Sequence, residues 1–317
     1  MTPPLTLPTY AELLARRDAP PGTAWGLFGA DDELGTLNLL TPEHALAAAR
    51  LVRTGEVFPL NWPVELPDPH PFRRPPTRHA IGAGSFGRDD WLDGFYLQGS
   101  SQWDGLRHIA HPRLGFYNGV GAAAVDDPAS DRLGIHAAAR RGIVGRGVLL
   151  DVARHLEQHG TPLAPERRTL IGPDLLDAVA AAEGVRGEPA DILLVRTGWT
   201  GWYSGLAASA RARLTADDAQ PGLEPSERTA AWLWDHHFAA VAADNMALEA
   251  MPLRYEEGYF LHFWLIPCLG MPIGELWWLD DLASACAADG RYAFQLVSAP
   301  LNVRGGVGSP PNAIAIR

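Results

Sequence analysis

The stretch Leu97-Gln98-Gly99-Ser100-Ser101-Gln102-Trp103-Asp104-Gly105-Leu106-Arg107-His108 concentrates groups that can hold a cation or move a proton. On an extended strand, residues two apart share a face. Gln98, Ser100, Gln102 and Asp104 would then line one side, and Leu97, Ser101 and Trp103 the other. Such a row of polar groups suits the wall of a polar pocket, and it equally suits a strand face turned to solvent. Gly105 lets the chain turn, and His108 follows four residues after Asp104. An imidazole beside a carboxylate can work as a general acid or base near neutral pH; the bland alternative for His108 is a surface histidine.

A second cluster narrows the choice. Leu261-His262-Phe263-Trp264-Leu265-Ile266-Pro267 sets one histidine in an apolar run, and Gly274-Glu275-Leu276-Trp277-Trp278 sets one carboxylate between apolar neighbours. A buried carboxylate is costly unless a histidine, an arginine or a metal ion accompanies it. One histidine, two carboxylates and amide oxygens form a plausible divalent-metal shell. Arg107 and Arg73 could meet a substrate carboxylate, and Trp103 could flank a planar substrate, although surface and core roles compete for these residues.

The elements that must position these groups read as a mixed α/β pattern. Thr41-Pro42 opens a helix that runs to Val52, with Thr41 as cap and Pro42 at the first helical position. Residues 173–183, 226–236 and 279–289 carry helical spacing, and a short helix lies around 10–17. The apolar runs 147–152, 191–196 and 238–243 read as buried strands, and 95–103 and 258–266 as further strands. The proline-rich residues 63–90 read as one long loop, a length common in binding loops and lids. Alternating strands and helices favour one α/β domain, residues 41–317, behind an N-terminal extension, residues 1–40.

Composition removes several functions. The formal charge is −11, which disfavours a nucleic-acid partner. All 26 basic residues are arginine, so Schiff-base chemistry and a phosphate-loop lysine are both excluded. The two cysteines, Cys268 and Cys286, lack zinc-knuckle spacing. No apolar run is long enough to cross a membrane, and Met1–Tyr10 lacks the pattern of a signal peptide, so a cytoplasmic setting is expected.

Residues 98–108 resemble the His-x-Gly-Thr-His-x-Asp-x-Pro-x-His signature of the putative-cyclase superfamily, which includes kynurenine formamidases and isatin hydrolases. On that pattern Asp104 falls on the metal-binding aspartate and His108 on the catalytic histidine, while His262 and Glu275 match later metal ligands. Gln98 and Gln102 stand where the family has histidines, Ser100 where it has Gly, Ser101 where it has Thr and Leu106 where it has Pro. The chain also looks like a longer branch with a Gln-Trp-Asp-x-x-x-His core, here Gln102–His108. Asp32–Leu40, Gly142–Gly147, Arg196–Trp199 and Gly270–Glu275 are further similar stretches.

The resemblance implies a swivelling β/β/α domain that hydrolyses an amide or ester of a small molecule, such as a lactone, cyclic amide or aryl formamide. His108 would be the acid/base, and one divalent ion, zinc or manganese, would be held by Asp104, His262 and Glu275 with help from Gln102 and Gln98. Glutamine is a weaker, harder ligand than histidine, so a non-catalytic relative that only binds a small molecule is the competing expectation. A homodimer or homotetramer is expected by the same analogy.

Overall fold

The computed structural model describes residues 7–317; the reading of Met1–Tyr10 falls largely outside them. A nine-stranded sheet runs in the order Val57–Pro59, Ala313–Ile316, Ala293–Ser298, Ile143–Asp151, Ile192–Arg196, Ala240–Ala243, Ile273–Glu275, Gln102–Asp104, Gly308–Ser309. The four strands from Ile143–Asp151 to Ile273–Glu275 are parallel, and the flanking strands pair antiparallel to them. This is the mixed α/β domain the alternating pattern implies. No helix among the described residues is long and apolar enough to cross a membrane.

The parallel strands are covered on both faces, which is why they read as continuous apolar runs rather than alternating ones. Val148, Leu150, Leu193, Val195, Val241 and Ala243 enter one core with helices Pro173–Ala182 and Glu227–Asp235. Leu149, Ile192, Leu194, Ala240 and Ala242 enter a second core with helix Asp280–Asp289. The period of two along each strand therefore decides which layer a side chain meets. Ile273 lies in the first core and Trp103 in the second. It follows that Gln102, Asp104 and Glu275 share the face of the first core.

Residues 7–40 pack into the same body. The Tyr10 amide donates to Asp235 at 2.6 Å, the Trp25 indole to the Pro267 carbonyl at 2.6 Å, and the Thr36 hydroxyl to the Ala239 carbonyl at 2.7 Å.

Three expectations change. Residues 63–90 are not one loop: Arg78–Ala83 and Arg88–Asp93 form a hairpin whose side chains are mostly exposed, including Ile81, Phe86 and Trp91. With neither face buried, its sequence carries little hydrophobic alternation to read. The strand expected over 95–103 is only Gln102–Asp104. The strand expected over 258–266 is helical: Leu261–Phe263 leads into a π-helical turn, Trp264–Cys268. An apolar run is ambiguous between buried strand and buried helix. Pro267 has no N–H to donate, and the Leu269 amide reaches back five residues to the Trp264 carbonyl at 2.9 Å, widening the turn.

Away from the polar face, Glu183 accepts the Asp151 amide at 2.9 Å, and burial pushes its carboxyl up to about 8. The folded state therefore keeps a proton that the unfolded chain loses near 4.5. The resulting stability is fully present below that pH and is lost as pH rises toward 8. Glu183→Gln should melt increasingly above the wild type as pH is raised from about 5 to 9; a gap that stays constant across this range would refute it.

Candidate metal centre

Strand Ile273–Glu275 pairs with Gln102–Asp104 so that Glu275 faces Gln102 and Ile273 faces Asp104. Gly274 stands opposite Trp103, and a Cβ there would meet the Trp277 indole at 2.7 Å. Its absence admits Trp277, which stacks edge-on against Trp103 at 4.8 Å and donates to the Gln102 carbonyl at 3.0 Å. Two buried tryptophans thus close the sheet behind the polar face. Gly105 follows at once; its amide donates to the Val307 carbonyl at 3.0 Å, and a Cβ would stand 2.9 Å from that oxygen. The chain turns there, and the His108 amide donates to the Gly105 carbonyl at 3.0 Å.

His262 descends onto this face from its helix. Its Nδ1 lies 2.6 Å from Glu249 Oε1 and its Nε2 3.2 Å from Glu275 Oε1. Glu249 also accepts the backbone amides of Leu261 and His262. It therefore fixes both the helix start and the ring, and leaves Nε2 facing the strands. Phe260 stacks on the imidazole at 4.4 Å. Gln102 donates its amide to Glu275 Oε2 at 2.5 Å. Ligand atoms of Asp104, His262 and Glu275 all lie within 4.8 Å of one another, the one such group of three among the described residues.

The electrostatics leave this group short of positive charge. Burial pushes the Asp104 carboxyl up to about 6; the Glu275 charge adds to the rise, and His108, His262 and Arg74 oppose it. Burial alone would lower the His262 imidazole, but its hydrogen bonds to Glu249 and Glu275 and their charges outweigh that and hold it up to about 10. Both Asp104 carboxylate oxygens and Gln102 Oε1 are buried without a hydrogen-bond partner. Unpartnered buried carboxylate oxygens are rare and costly. Asp104, His262, Glu275 and the free Gln102 oxygen therefore fit a divalent cation, with Glu249 orienting the imidazole as outer carboxylates commonly do for ligand histidines.

His108 is half-buried with Nε2 3.6 Å from Asp104 Oδ2, too long for a hydrogen bond but within reach of small adjustments. Burial lowers its imidazole against the pull of Asp104. Burial thus favours the uncharged ring beside the centre.

Gln98 lies before the strand, and its side-chain amide rests beside Gly308, the residue paired with Asp104. Three expected site residues lie elsewhere. Trp103 is fully buried on the opposite face and donates to Ser298. Arg107 turns away and donates to the carbonyls of Val125, Ser130 and Arg132, holding a loop rather than a substrate. Arg73 is exposed, and its neighbour Arg74 carries the charge felt by Asp104 and His108. Glu249 was not singled out. Its signal was the same as that of Glu275, a carboxylate alone in an apolar run, here Met246-Ala247-Leu248-Glu249-Ala250-Met251.

A mixed α/β domain with a buried carboxylate–histidine cluster on its sheet defines the class, and the comparisons name the family. Residues 64–250 match the profile of the Putative cyclase family. A crystal structure of a novel cyclase aligns over 93% of this chain and 99% of its own at 35% identity, with a TM-score of 0.81. The chain belongs to the Putative cyclase family. Isatin hydrolase A from Ralstonia solanacearum aligns over 88% of this chain and 98% of its own at 17% identity and a TM-score of 0.59. A predicted metal-dependent hydrolase from Bacillus stearothermophilus aligns over 83% and 98% at 16% and 0.50. At these identities the last two share the fold. No curated protein matches the chain.

Asp104→Ala should abolish metal binding. Because it removes two unpartnered buried oxygens, the metal-free variant should melt no lower than metal-free wild type; retained metal would take Asp104 out of the ligand set. Glu249→Gln should weaken metal affinity roughly 10–100-fold, measured by competition with a chelating dye. Unchanged affinity would reduce Glu249 to a helix brace.

Proposed function

We propose that the chain is a metal-dependent hydrolase of a small-molecule amide or ester, including ring-opening of a cyclic amide or lactone. The observation that carries this reading is the pair of unpartnered, buried Asp104 oxygens facing His262 and Glu275. A divalent cation held there would acidify a water and polarise a carbonyl. The remaining tasks fall to the chain. Glu249 holds His262 in one orientation, and the Gln102 amide holds Glu275 Oε2. The two tryptophans keep water from the rear of the sheet face. His108, next to Asp104 and open to solvent on one side, takes a proton at Nε2 and returns it to the leaving group.

The reading is tested by metal analysis of the purified protein and by metal-dependent turnover of a panel of aryl formamides, lactones and esters. Metal-loaded protein that binds such compounds and turns none over would make the chain a binding relative instead. Within the hydrolase reading, His108→Ala should keep its metal and melting temperature and lose activity by about 10²–10⁴-fold. Loss of metal in this variant would instead make His108 a ligand, and loss of stability alone would make it a brace for the Gly105 turn.

A further inference from the structure

The loop before the hairpin walls a cleft of about 480 Å³ lined by residues including Pro67, His70, Arg74, Tyr96, Gly99 and Leu214. Two cationic or donor groups meet on this wall. Arg74 donates through Nη1 to the Gln98 carbonyl, and the same Nη1 lies 3.3 Å from His70 Nε2. Among the described residues Arg74 pairs with no carboxylate. His70 is 8% exposed, and its Nδ1 accepts the Phe72 amide at 3.1 Å. A ring that accepts at Nδ1 must carry its proton on Nε2. Burial, with the Arg74 charge adding to it, keeps the ring neutral by pushing its pKa down to about 3. With its proton on Nε2, the ring sets that N–H 3.3 Å from Arg74 Nη1, and no carboxylate among the described residues answers either group.

Donors arranged this way call for an oxygen acceptor, and beside a guanidinium the strongest is an oxyanion. The location ties the pair to the metal centre. Gln98 lies four residues before Gln102, and the Arg74 charge acts on Asp104, His108 and Tyr255. Tyr255 in turn stacks edge-on against Phe260, which stacks on His262. Arg74 and the centre are thus linked by the field of its charge, while the cleft lining itself includes none of Asp104, His108, His262 or Glu275.

We propose that Arg74 and His70 form an oxyanion-binding pair at the mouth of the centre, and that the small-molecule substrate carries a carboxylate that seats on it. The substrate clause rests on the hydrolase reading; the binding clause does not. Binding is measured by calorimetry with benzenesulfonate, a poor metal ligand, against the neutral methyl phenyl sulfone. Wild type should bind the sulfonate roughly tenfold or more tighter than the sulfone. Arg74→Gln should erase that preference with metal content and sulfone binding unchanged. Arg74→Lys should restore part of it, and His70→Ala should weaken it. Equal binding of the two probes by wild type, or an undiminished preference in Arg74→Gln, overturns the proposal. Loss of sulfone binding together with sulfonate binding, unrescued by Arg74→Lys, also overturns it, because Arg74 would then be a staple for the loop through Gln98. For the substrate clause, Arg74→Gln should raise KM for acetylsalicylate roughly tenfold more than KM for phenyl acetate; an equal effect on both esters sinks it. A wild type that hydrolyses neither ester nor any compound of the formamide, lactone and ester panel, yet shows the sulfonate preference, removes the hydrolase reading and the substrate clause, and leaves the anion site standing.

Discussion

Three carboxylates, those of Asp104, Glu249 and Glu275, are buried around a single imidazole, and much of the local structure answers that imbalance of charge. Glu249 is satisfied by the ring and two backbone amides, and Glu275 by Gln102 and the far side of the ring. Asp104 is left with neither of its oxygens answered. In a medium of low polarity such a group must take up a proton or a cation. The fold supplies the rigid surroundings that make this choice unavoidable: a strand paired on both edges, two tryptophans behind it and a helix in front.

The parallel strands carry a second set of charges at their carboxyl ends, and there each carboxylate keeps at least one partner. Arg196 bridges Asp151 and Asp280 at 2.8 and 2.7 Å. Asp244 receives the amides of Thr197 and Gly198 and the Thr197 hydroxyl, and Asn245 ties the next turn to the Pro221 carbonyl. That turn leads directly into Glu249. This network thus holds in place the segment that orients His262. The contrast lies in the carboxylates: Asp151, Asp244 and Asp280 each have at least one oxygen partnered, and Asp104 has neither.

Much of this arrangement was readable from residue types. The apolar runs around 148–152, 192–196 and 240–243 gave the central strands because both faces are covered, and Thr41-Pro42 marked its helix by chemistry local to four residues. His262 and Glu275 were found because ionisable groups in apolar company need partners, and Asp104 because polar residues two apart line one strand face. The same rule applied to Glu249 would have added it. What local pattern could not give was depth and direction. Trp103 and Arg107 flank the site in sequence and leave it in space, since one residue along a strand reverses the face and the turn at Gly105 redirects the chain. Arg74 acts on the centre through its charge, from a loop whose path no periodicity specifies. The hairpin at 78–93 was hidden because solvent takes up both of its faces.

The widened turn at Trp264–Cys268 changes what sequence spacing means in this chain. His262 and Glu275 are 13 residues apart, and that interval includes a turn with more residues per revolution than a regular helix supplies. A search pattern that fixes the interval encodes the proline-induced turn along with the two ligands. A chain that closed the same turn as an ordinary helix would need fewer residues to bring the same two groups together. Distance along the chain is therefore a poor ruler for recognising this centre, and the company each ionisable residue keeps is a better one.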